Sequence, residues 1–333
     1  MTAIVPPTTT PGGGKSTAAR RWTRRDLTFD KVSFMAVFLV VPVVGYVIFV
    51  VWPFLQAFYY SLTDWSGFTP GMNFIGVANY VRLFTDNIFM KAVGNNLLLL
   101  IVLPIITLVL SLALATLVTV GGPSNGPIRG LRNSSVYRVI SFFPYVIPAI
   151  VIGIIWNQVY DPSHGILNGL LTGAGLEQFQ SFAWLGEQRT AMIATIFVIA
   201  WGLVGFYMVL FVAAIKGIPA EIFEAARIDG AGRFRTAVTI TVPMIRDNIQ
   251  TAYIYMGILA LDAFVYMAAL NPGGGPNNST LVMAQQLFTT AFTKGQFGLA
   301  CAMGVVLAVI TLLFSGLVFL VNRLTGGDND VAE

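Results

Sequence analysis

Long apolar stretches alternate with short polar connections along most of this chain. A membrane-spanning helix needs about 20 consecutive, mainly apolar residues, and six stretches of the sequence reach that length. They cover roughly residues 33–58, 95–120, 139–160, 191–215, 249–270 and 299–321. The pattern predicts an all-α, polytopic membrane protein with about six transmembrane helices.

The two ends of the chain lie outside these stretches. Residues 1–31 are rich in Pro, Thr and Gly and then in Lys and Arg, which predicts a disordered basic tail. The first apolar stretch is too long for a signal peptide and lacks a small-residue cleavage site, so we expect it to be retained. Residues 32–323 then form one transmembrane domain, and residues 324–333 a short tail.

Charge sets the expected orientation. The chain is 56% hydrophobic and 10% charged, with a mean hydropathy of +0.76. Fifteen of its 19 Lys and Arg residues fall on one side of the predicted membrane, and only four fall on the other: Arg82, Lys91, Arg189 and Lys294. Because basic residues concentrate in cytoplasmic segments, we expect both termini and the 121–138 and 216–248 loops to be cytoplasmic. The same bias explains the net charge of +4 without nucleic acid.

One polar segment, residues 217–247, separates the fourth and fifth apolar stretches. Pro219 and the acidic Glu221 suit the start of a helix, and Gly230 suits its end. The spacing predicts a short amphipathic helix with small and apolar groups on one face: Ile222, Ala225, Ala226 and Asp229. A second helix is expected around residues 233–240, with Pro243 at the entry to the next span.

Within this segment, Glu224-Ala-Ala-Arg-Ile-Asp-Gly230 is followed after nine residues by Ile240-Thr-Val-Pro243. This pattern resembles the EAA loop of ABC importer permeases, in which Ile-x-Leu-Pro closes the motif; Val242 replaces the leucine here. Two further segments are similar to carbohydrate permeases related to the larger membrane subunit of the maltose transporter. They are Asn271-Pro-Gly-Gly-Gly-Pro276 and the pair Asp64-Trp65 with Phe74-Ile-Gly-Val-Ala-Asn-Tyr80. The alternative interpretation is a pair of interfacial helices whose arginines contact lipid headgroups.

The resemblance implies a type I ABC importer permease fold in a bacterial cytoplasmic membrane. The chain would form half of a translocation pathway beside a second, homologous permease, with two ATPase subunits and an extracytoplasmic sugar-binding protein. ATP and Mg would be bound by the ATPases, and this chain would hold no cofactor or metal and catalyse no reaction. The residues implied in coupling to the ATPase are Glu224, Ala225, Ala226, Asp229, Gly230, Ile240 and Pro243.

Polar and aromatic side chains within the spans are candidates for the transport pathway. Asp262 is the ionisable residue placed well inside the fifth span, where a charge is costly and usually functional. Its carboxylate could accept hydrogen bonds from sugar hydroxyls, with Tyr255 and Tyr266 nearby. Trp201, Phe206 and Tyr207 in the fourth span could stack on a sugar ring. The alternatives are ordinary packing for the aromatic residues and a bond to an adjacent helix for Asp262.

The resemblance also suggests a substrate, and two other classes of protein are alternatives to an ABC permease. The run from Asp262 to Pro276 resembles permeases for N-acetylglucosamine or chitobiose, and a glycerol-3-phosphate importer is the alternative. Few basic residues lie on the outer side, which favours a neutral sugar. A secondary carrier would work without an ATPase. An intramembrane enzyme would need paired acids, a Ser/His pair or metal ligands, and the chain has a single histidine, His164.

Overall fold

The computed structural model describes residues 33–120, 130–131 and 133–324. The predicted basic tail, residues 325–333 and most of the 121–138 loop lie outside the described residues. The chain divides into two compact units, Met1–Gln56 and Ala57–Glu333. The described part of the first unit is helical and belongs to helix α1, Ser33–Tyr60, which includes π-helical turns at Ala36–Val40 and Val47–Val51.

The second unit is built from helices joined by turns. Three of its helices are long and unbroken: α3, α7 and the final helix α13. A bent pair of helices precedes α7, and a second bent pair follows it. In chain order they are α2 (Ala78–Thr85), α3 (Asn87–Val120), α4 (Ser134–Val146), α5 (Ala149–Val159), α6 (Ile166–Gly173), α7 (Ala191–Lys216), α8 (Ala220–Ile228), α9 (Arg233–Thr236), α10 (Arg246–Leu261), α11 (Phe264–Leu270), α12 (Met283–Phe288) and α13 (Phe297–Leu324). A π-helical turn, Ala237–Thr241, and a short turn, Val242–Met244, extend α9 toward α10.

The main hydrophobic core lies between α3, α7 and α10. It contains fully buried side chains from all three helices, among them Leu99, Leu103, Met208, Phe211 and Met256. Apolar residues occur on every face of α7, which predicts a helix surrounded by protein or lipid rather than by water. The structure agrees, because most of the apolar part of α7 is buried inside this chain. α7 is therefore the central scaffold of the unit.

Small residues allow the helices to approach closely. A Cβ added at Gly205 of α7 would overlap the carbonyl group of Ser141 and the Cα of Phe142 in α4. A Cβ at Gly153 of α5 would overlap the side chain of Ala269 in α11. Membrane helices use such positions to pack backbone against backbone. The two glycines thus fix how α4 and α5 lie against the rest of the unit.

Four of the six predicted spans are single helices long and apolar enough to cross a membrane, and the other two are broken. The third consists of α4 and α5, which are bent by 98° at Ile147 and Pro148. The fifth consists of α10 and α11, bent by 49° at Asp262 and Ala263. The sequence alone gave no indication of either break in its hydropathy. Among the described residues the count is therefore four membrane-length helices, or up to six if each bent pair is one span.

The segment after α1 is a compact turn held by side chains. Asn79 is buried, and its Nδ2 donates to the carbonyl oxygens of Ser61 (2.9 Å) and Thr63 (2.8 Å). Asp64 accepts from the backbone N–H of Asn73 at 2.6 Å and from its Nδ2 at 2.9 Å. These bonds stabilise the charged form and hold the pKa of Asp64 below its usual value. Asp64 and Asn79, which belong to the segments that resemble carbohydrate permeases, thus stabilise this turn.

Candidate functional site

The predicted helix of the 217–247 segment is present as α8. Pro219 occupies its N-cap position and Glu221 its first turn. Gly230 follows with φ +73°, a left-handed conformation that glycine adopts without strain. The N–H of Gly230 bonds to the carbonyl of Arg227 (3.0 Å), and the N–H of Ala231 bonds to that of Ala226 (2.9 Å). This pair of bonds is a Schellman motif, which ends the helix abruptly.

The faces of α8 differ from the predicted ones. Phe223 and Ala226 are buried, and Phe223 belongs to the main core of this chain. Glu224, Ala225 and Asp229 are exposed on the other side. The spacing predicted that Ala226 shares a face with Ala225 and Asp229. The structure shows that it does not. Because the helix has only nine residues, the apolar periodicity left its orientation open, and the large Phe223 decides which side turns inward.

The exposed side of this segment also carries two large apolar side chains. Ile228 at the end of α8 is 87% exposed, and Phe234 in α9 is 83% exposed. Ile240 is half-buried within the π-helical turn, and Pro243 is exposed one turn further on. Ile228 and Phe234 were missed by the sequence analysis, although their apolar character within a charged segment is a visible signal. Exposed apolar groups beside charges are typical of a docking surface.

A polar stripe runs along the outer face of α10. Apart from the adjacent pair Asp247 and Asn248, its members follow one another at intervals of three, four and seven residues, lie on one side of the helix and are all exposed: Asp247, Asn248, Thr251, Tyr255 and Asp262. The exposed apolar Ile258 lies between the last two. The opposite face is buried through Ala252, Met256 and Ala260. Lipid would be a poor environment for such a stripe, because unpaired polar groups in hydrocarbon are costly. The stripe is suited to line a polar pathway.

Aromatic side chains of α7 adjoin this stripe. Phe206, Tyr207 and Tyr255 line one cavity of about 450 Å³ together with Asp247 and Thr251. The ring of Phe206 stacks on Tyr145 of α4 with centroids 4.6 Å apart, and it meets Tyr207 edge to face at 5.1 Å. The cavity thus combines flat apolar rings with hydroxyl, amide and carboxylate groups. Aromatic rings pack on the apolar faces of sugars, and polar side chains form hydrogen bonds with sugar hydroxyls.

The structure brings together only some of the predicted pathway residues. Asp262 lies on the same stripe as Tyr255, two turns further along and within the break between α10 and α11. Tyr266 packs inward, with its hydroxyl beside Gly202 of α7. Trp201 lies in a separate apolar cavity of about 610 Å³, against Trp156 at 5.4 Å. Trp201 lies on a different side of α7 from Phe206 and Tyr207. These two residues follow it by five and six positions, which is not a whole number of helical turns.

Asp247, Asn248, Thr251 and Tyr145 were not predicted. The first three could have been found, since they share one face with Tyr255 at helical spacing. Tyr145 could not, because its contact with Phe206 depends on the close approach of α4 to α7 at Gly205.

A turn follows α11, and we call it the outer turn after the side of the membrane that the distribution of Lys and Arg predicts for it. Five of its residues have positive φ, in the left-handed region: Gly273, Gly274, Gly275, Asn277 and Asn278. The N-terminal part of α3 holds this turn, since Lys91 Nζ donates to the carbonyl of Asn277, and Asn95 Nδ2 donates to those of Asn278 (3.1 Å) and Leu281 (2.8 Å). The Gly-Gly-Pro segment is therefore part of a turn that is hydrogen-bonded to α3.

Helices of membrane length, a polar stripe at a broken span and a short exposed helix between two spans define the class: a membrane permease. Residues 128–326 match the family model described as "Binding-protein-dependent transport system inner membrane component", and the chain belongs to that family. It is a multi-pass permease subunit of an ABC importer and not an enzyme; in this family ATP is bound by the partner ATPase.

Several known proteins are similar to this chain. It is 62% identical over 304 residues to the diacetylchitobiose uptake system permease protein of Streptomyces coelicolor, covering 91% of this chain and 86% of the relative. It is 34% identical to the multiple sugar-binding transport system permease protein of Streptococcus mutans, covering 82% and 89%. A bacterial ABC transporter involved in the import of the acidic polysaccharide alginate matches with a TM-score of 0.74 and 21% identity, covering 91% and 98%. That structural likeness shows the fold alone, a type I importer permease.

Proposed function

We propose that this chain is the permease subunit of an ATP-driven importer of diacetylchitobiose and forms half of its translocation pathway. The observation that carries the proposal is the 62% identity to the Streptomyces coelicolor permease over nearly the whole chain. The second permease of the pair is a homologous subunit, and an extracytoplasmic binding protein delivers the sugar.

The pathway is formed by the polar stripe of α10 and the aromatic side chains of α7 beside it. A membrane helix that turns polar groups away from its own core needs water, substrate or another subunit on that side. The second permease supplies the opposite wall. Asp262, Tyr255 and Thr251 then offer hydrogen bonds to hydroxyl and acetamido groups, while Phe206 contacts the apolar faces of the sugar rings. Tyr207 is 4% exposed and supports the ring of Phe206 from within the core.

The charges of the stripe favour a neutral sugar over glycerol-3-phosphate. It contains two carboxylates, Asp247 and Asp262, and the sequence has no Lys or Arg between them. Phosphate recognition generally uses Arg or Lys. A carboxylate-lined path would instead repel a phosphate dianion. The diacetylated disaccharide carries no charge and presents many donors for carboxylate oxygens.

Coupling to the ATPases occurs through the exposed side of α8 and the start of α9. Glu224, Ala225 and Asp229 and the apolar Ile228 and Phe234 are all exposed on the segment that joins α7 to α10. Two ATPase subunits dock on the permease pair, one on each chain, and their closure moves the helices on either side of the loop. Ala226 acts from the inner side by allowing α8 to sit close to its own chain.

Orientation can be tested with single cysteines in a Cys301→Ser background. The distribution of Lys and Arg supports a cytoplasmic coupling loop and cytoplasmic termini. A cysteine at Asn277 should react with an impermeant thiol reagent added outside, and a cysteine at Gly232 should react only after the membrane is opened. The reverse pattern would contradict this orientation.

The transport activity is tested with the complete importer in proteoliposomes. Labelled diacetylchitobiose, maltose and glycerol-3-phosphate are supplied with the binding protein and internal ATP. We expect uptake of diacetylchitobiose alone, together with stimulated ATP hydrolysis. Uptake of glycerol-3-phosphate in its place would contradict the substrate, and uptake by this chain without the ATPases would identify a secondary carrier.

A further inference from the structure

Two buried helix ends need hydrogen-bond partners for their backbone groups: the end of α10, at the break in the fifth span, and the start of α12. Helices end with carbonyl and N–H groups unpaired, and these must be satisfied when they are buried. Leu261, the last residue of α10, is 1% exposed, and Met283, the first residue of α12, is also 1% exposed. Both groups therefore need a partner from within the protein.

A single side chain of α3 supplies both partners. Asn96, which is fully buried, donates from Nδ2 to the carbonyl oxygen of Leu261 at 3.0 Å. Its Oδ1 accepts from the N–H of Met283 at 2.7 Å. On the same side of α3, Ala92 is buried one turn before Asn96, and Leu99 and Leu100 are buried one turn after it. The amide thus joins the break of the fifth span to the end of the outer turn.

The bond to Leu261 acts on the next residue. The carbonyl of Leu261 and the N–H of Asp262 belong to one rigid peptide plane. Together with the bonds of the Asp262 N–H to the carbonyls of Ile258 (3.1 Å) and Leu259 (3.2 Å), fixing that carbonyl fixes the N–Cα bond of Asp262. Rotation about φ of residue 262 is then the one backbone freedom left to set the direction of its Cα–Cβ bond. Leu261 and Ala263 on either side are buried, whereas Asp262 is exposed on the polar stripe. A small rotation of this plane would turn the carboxylate away from the stripe.

We propose that Asn96 is a positioning residue for transport, which holds the break between α10 and α11 so that Asp262 faces the pathway. Its role in transport rests on the proposed function, while its effect on the direction of residue 262 does not. Asn95, the adjacent residue, is a matched comparison: it is also an asparagine with two hydrogen bonds, but both go to the outer turn, to Asn278 and Leu281.

The first test does not depend on the sugar. Asp262→Cys is made in a Cys301→Ser background, and the assembled importer is treated with a water-soluble methanethiosulfonate reagent. Asn96→Leu, which has a similar shape and no hydrogen bonds, should lower the modification rate of the thiol at least about tenfold, the scale of losing one or two buried bonds. Asn95→Leu should leave the rate unchanged.

Asn96→Ala serves as the second variant if the leucine prevents assembly. Unchanged rates in the Asn96 variants, or an equal decrease in Asn95→Leu, would overturn the proposal. Failure of both Asn96 variants to assemble, with Asn95→Leu intact, would overturn it as well, because Asn96 would then be required for the fold rather than for the direction of residue 262.

The second test is a double-mutant cycle on uptake. Asn96→Leu should raise the KM for the transported sugar about tenfold and leave the amount of assembled importer unchanged. In an Asp262→Ala background the same substitution should have little further effect, because Asn96 acts through Asp262. Additive losses would contradict that. If the importer transports a different sugar, the substrate proposal fails while the labelling result stands.

Discussion

The fourth span ends and the fifth span begins beside the same segment, residues 217–247, yet the two spans are built differently. α7 is one uninterrupted helix, apolar on all sides, and most of it is covered by α3, α4 and α10. The fifth span is two helices with a 49° bend, and one of its faces is polar and exposed. The difference fits the proposed division of labour, in which α7 supports the unit and α10 with α11 lines the pathway. In the proposed coupling, movement of residues 217–247 acts on two unequal helices.

The largest effect should come from a change in the support. Gly205→Leu places a side chain where the backbone of Ser141 and Phe142 already lies. Overpacking of this kind typically costs about 1–3 kcal/mol, and a backbone overlap belongs at the upper end. We expect little assembled importer in a co-purification assay. Gly94→Leu on α3, where a Cβ meets no atom within 4 Å, is the control and should assemble normally.

A change at the segment between the two spans should leave assembly intact and abolish uptake. Gly230→Asp forces a side chain into a left-handed position, at a cost of about 1–2 kcal/mol, and adds a charge at the exposed end of α8. Sugar-stimulated ATP hydrolysis and uptake should both be lost. Gly232→Asp has the same charge but sits at φ −68°, where aspartate is a good N-cap. It should retain transport. Normal coupling in Gly230→Asp would contradict the proposed role of this turn.

A smaller effect is expected within the pathway. If Asp262 accepts hydrogen bonds from sugar hydroxyls, Asp262→Ala should remove about 1.5–3 kcal/mol of binding, which is roughly a tenfold to hundredfold decrease in uptake. Uptake and co-purification are measured on the same variant. Loss of both together would mean that the carboxylate is structural, and unchanged uptake would remove it from the pathway.

The smallest effect on transport is expected from a comparison of two tyrosines of α10. Tyr255 lies on the polar stripe, whereas Tyr253 packs against Phe314 of α13 with ring centroids 5.9 Å apart. Tyr255→Phe removes one hydroxyl from the pathway and should raise the KM by a few-fold, equivalent to about 1 kcal/mol. Tyr253→Phe should not alter it. An equal response of the two variants would mean that the stripe does not contact the sugar.

The sequence predicts the spans and the position of helix α8 well, because both depend on local patterns. The ends of α7 and α8 agree with the prediction to within a few residues, since hydropathy, Pro219 and Gly230 act locally.

The breaks in the third and fifth spans do not follow from hydropathy. Ile147 precedes a proline and is extended, with ψ 130°, so a signal existed there. At Asp262 no proline or glycine marks the bend, and the bond from Asn96 comes from a residue 165 positions away in the sequence. Long-range contacts of this kind cannot be seen in hydropathy.

The outer turn after α11 limits how this part of the gene can vary. Five of the six residues from Gly273 to Asn278 have positive φ, and side chains at Gly274 and Gly275 would meet Leu281 and Thr280. Most amino acids are strained in that conformation, whereas glycine and, to a lesser degree, asparagine and aspartate accept it. Most single-base changes in these codons would therefore introduce strained residues. Substrate preference can diversify along the stripe of α10 while this turn stays nearly fixed in composition.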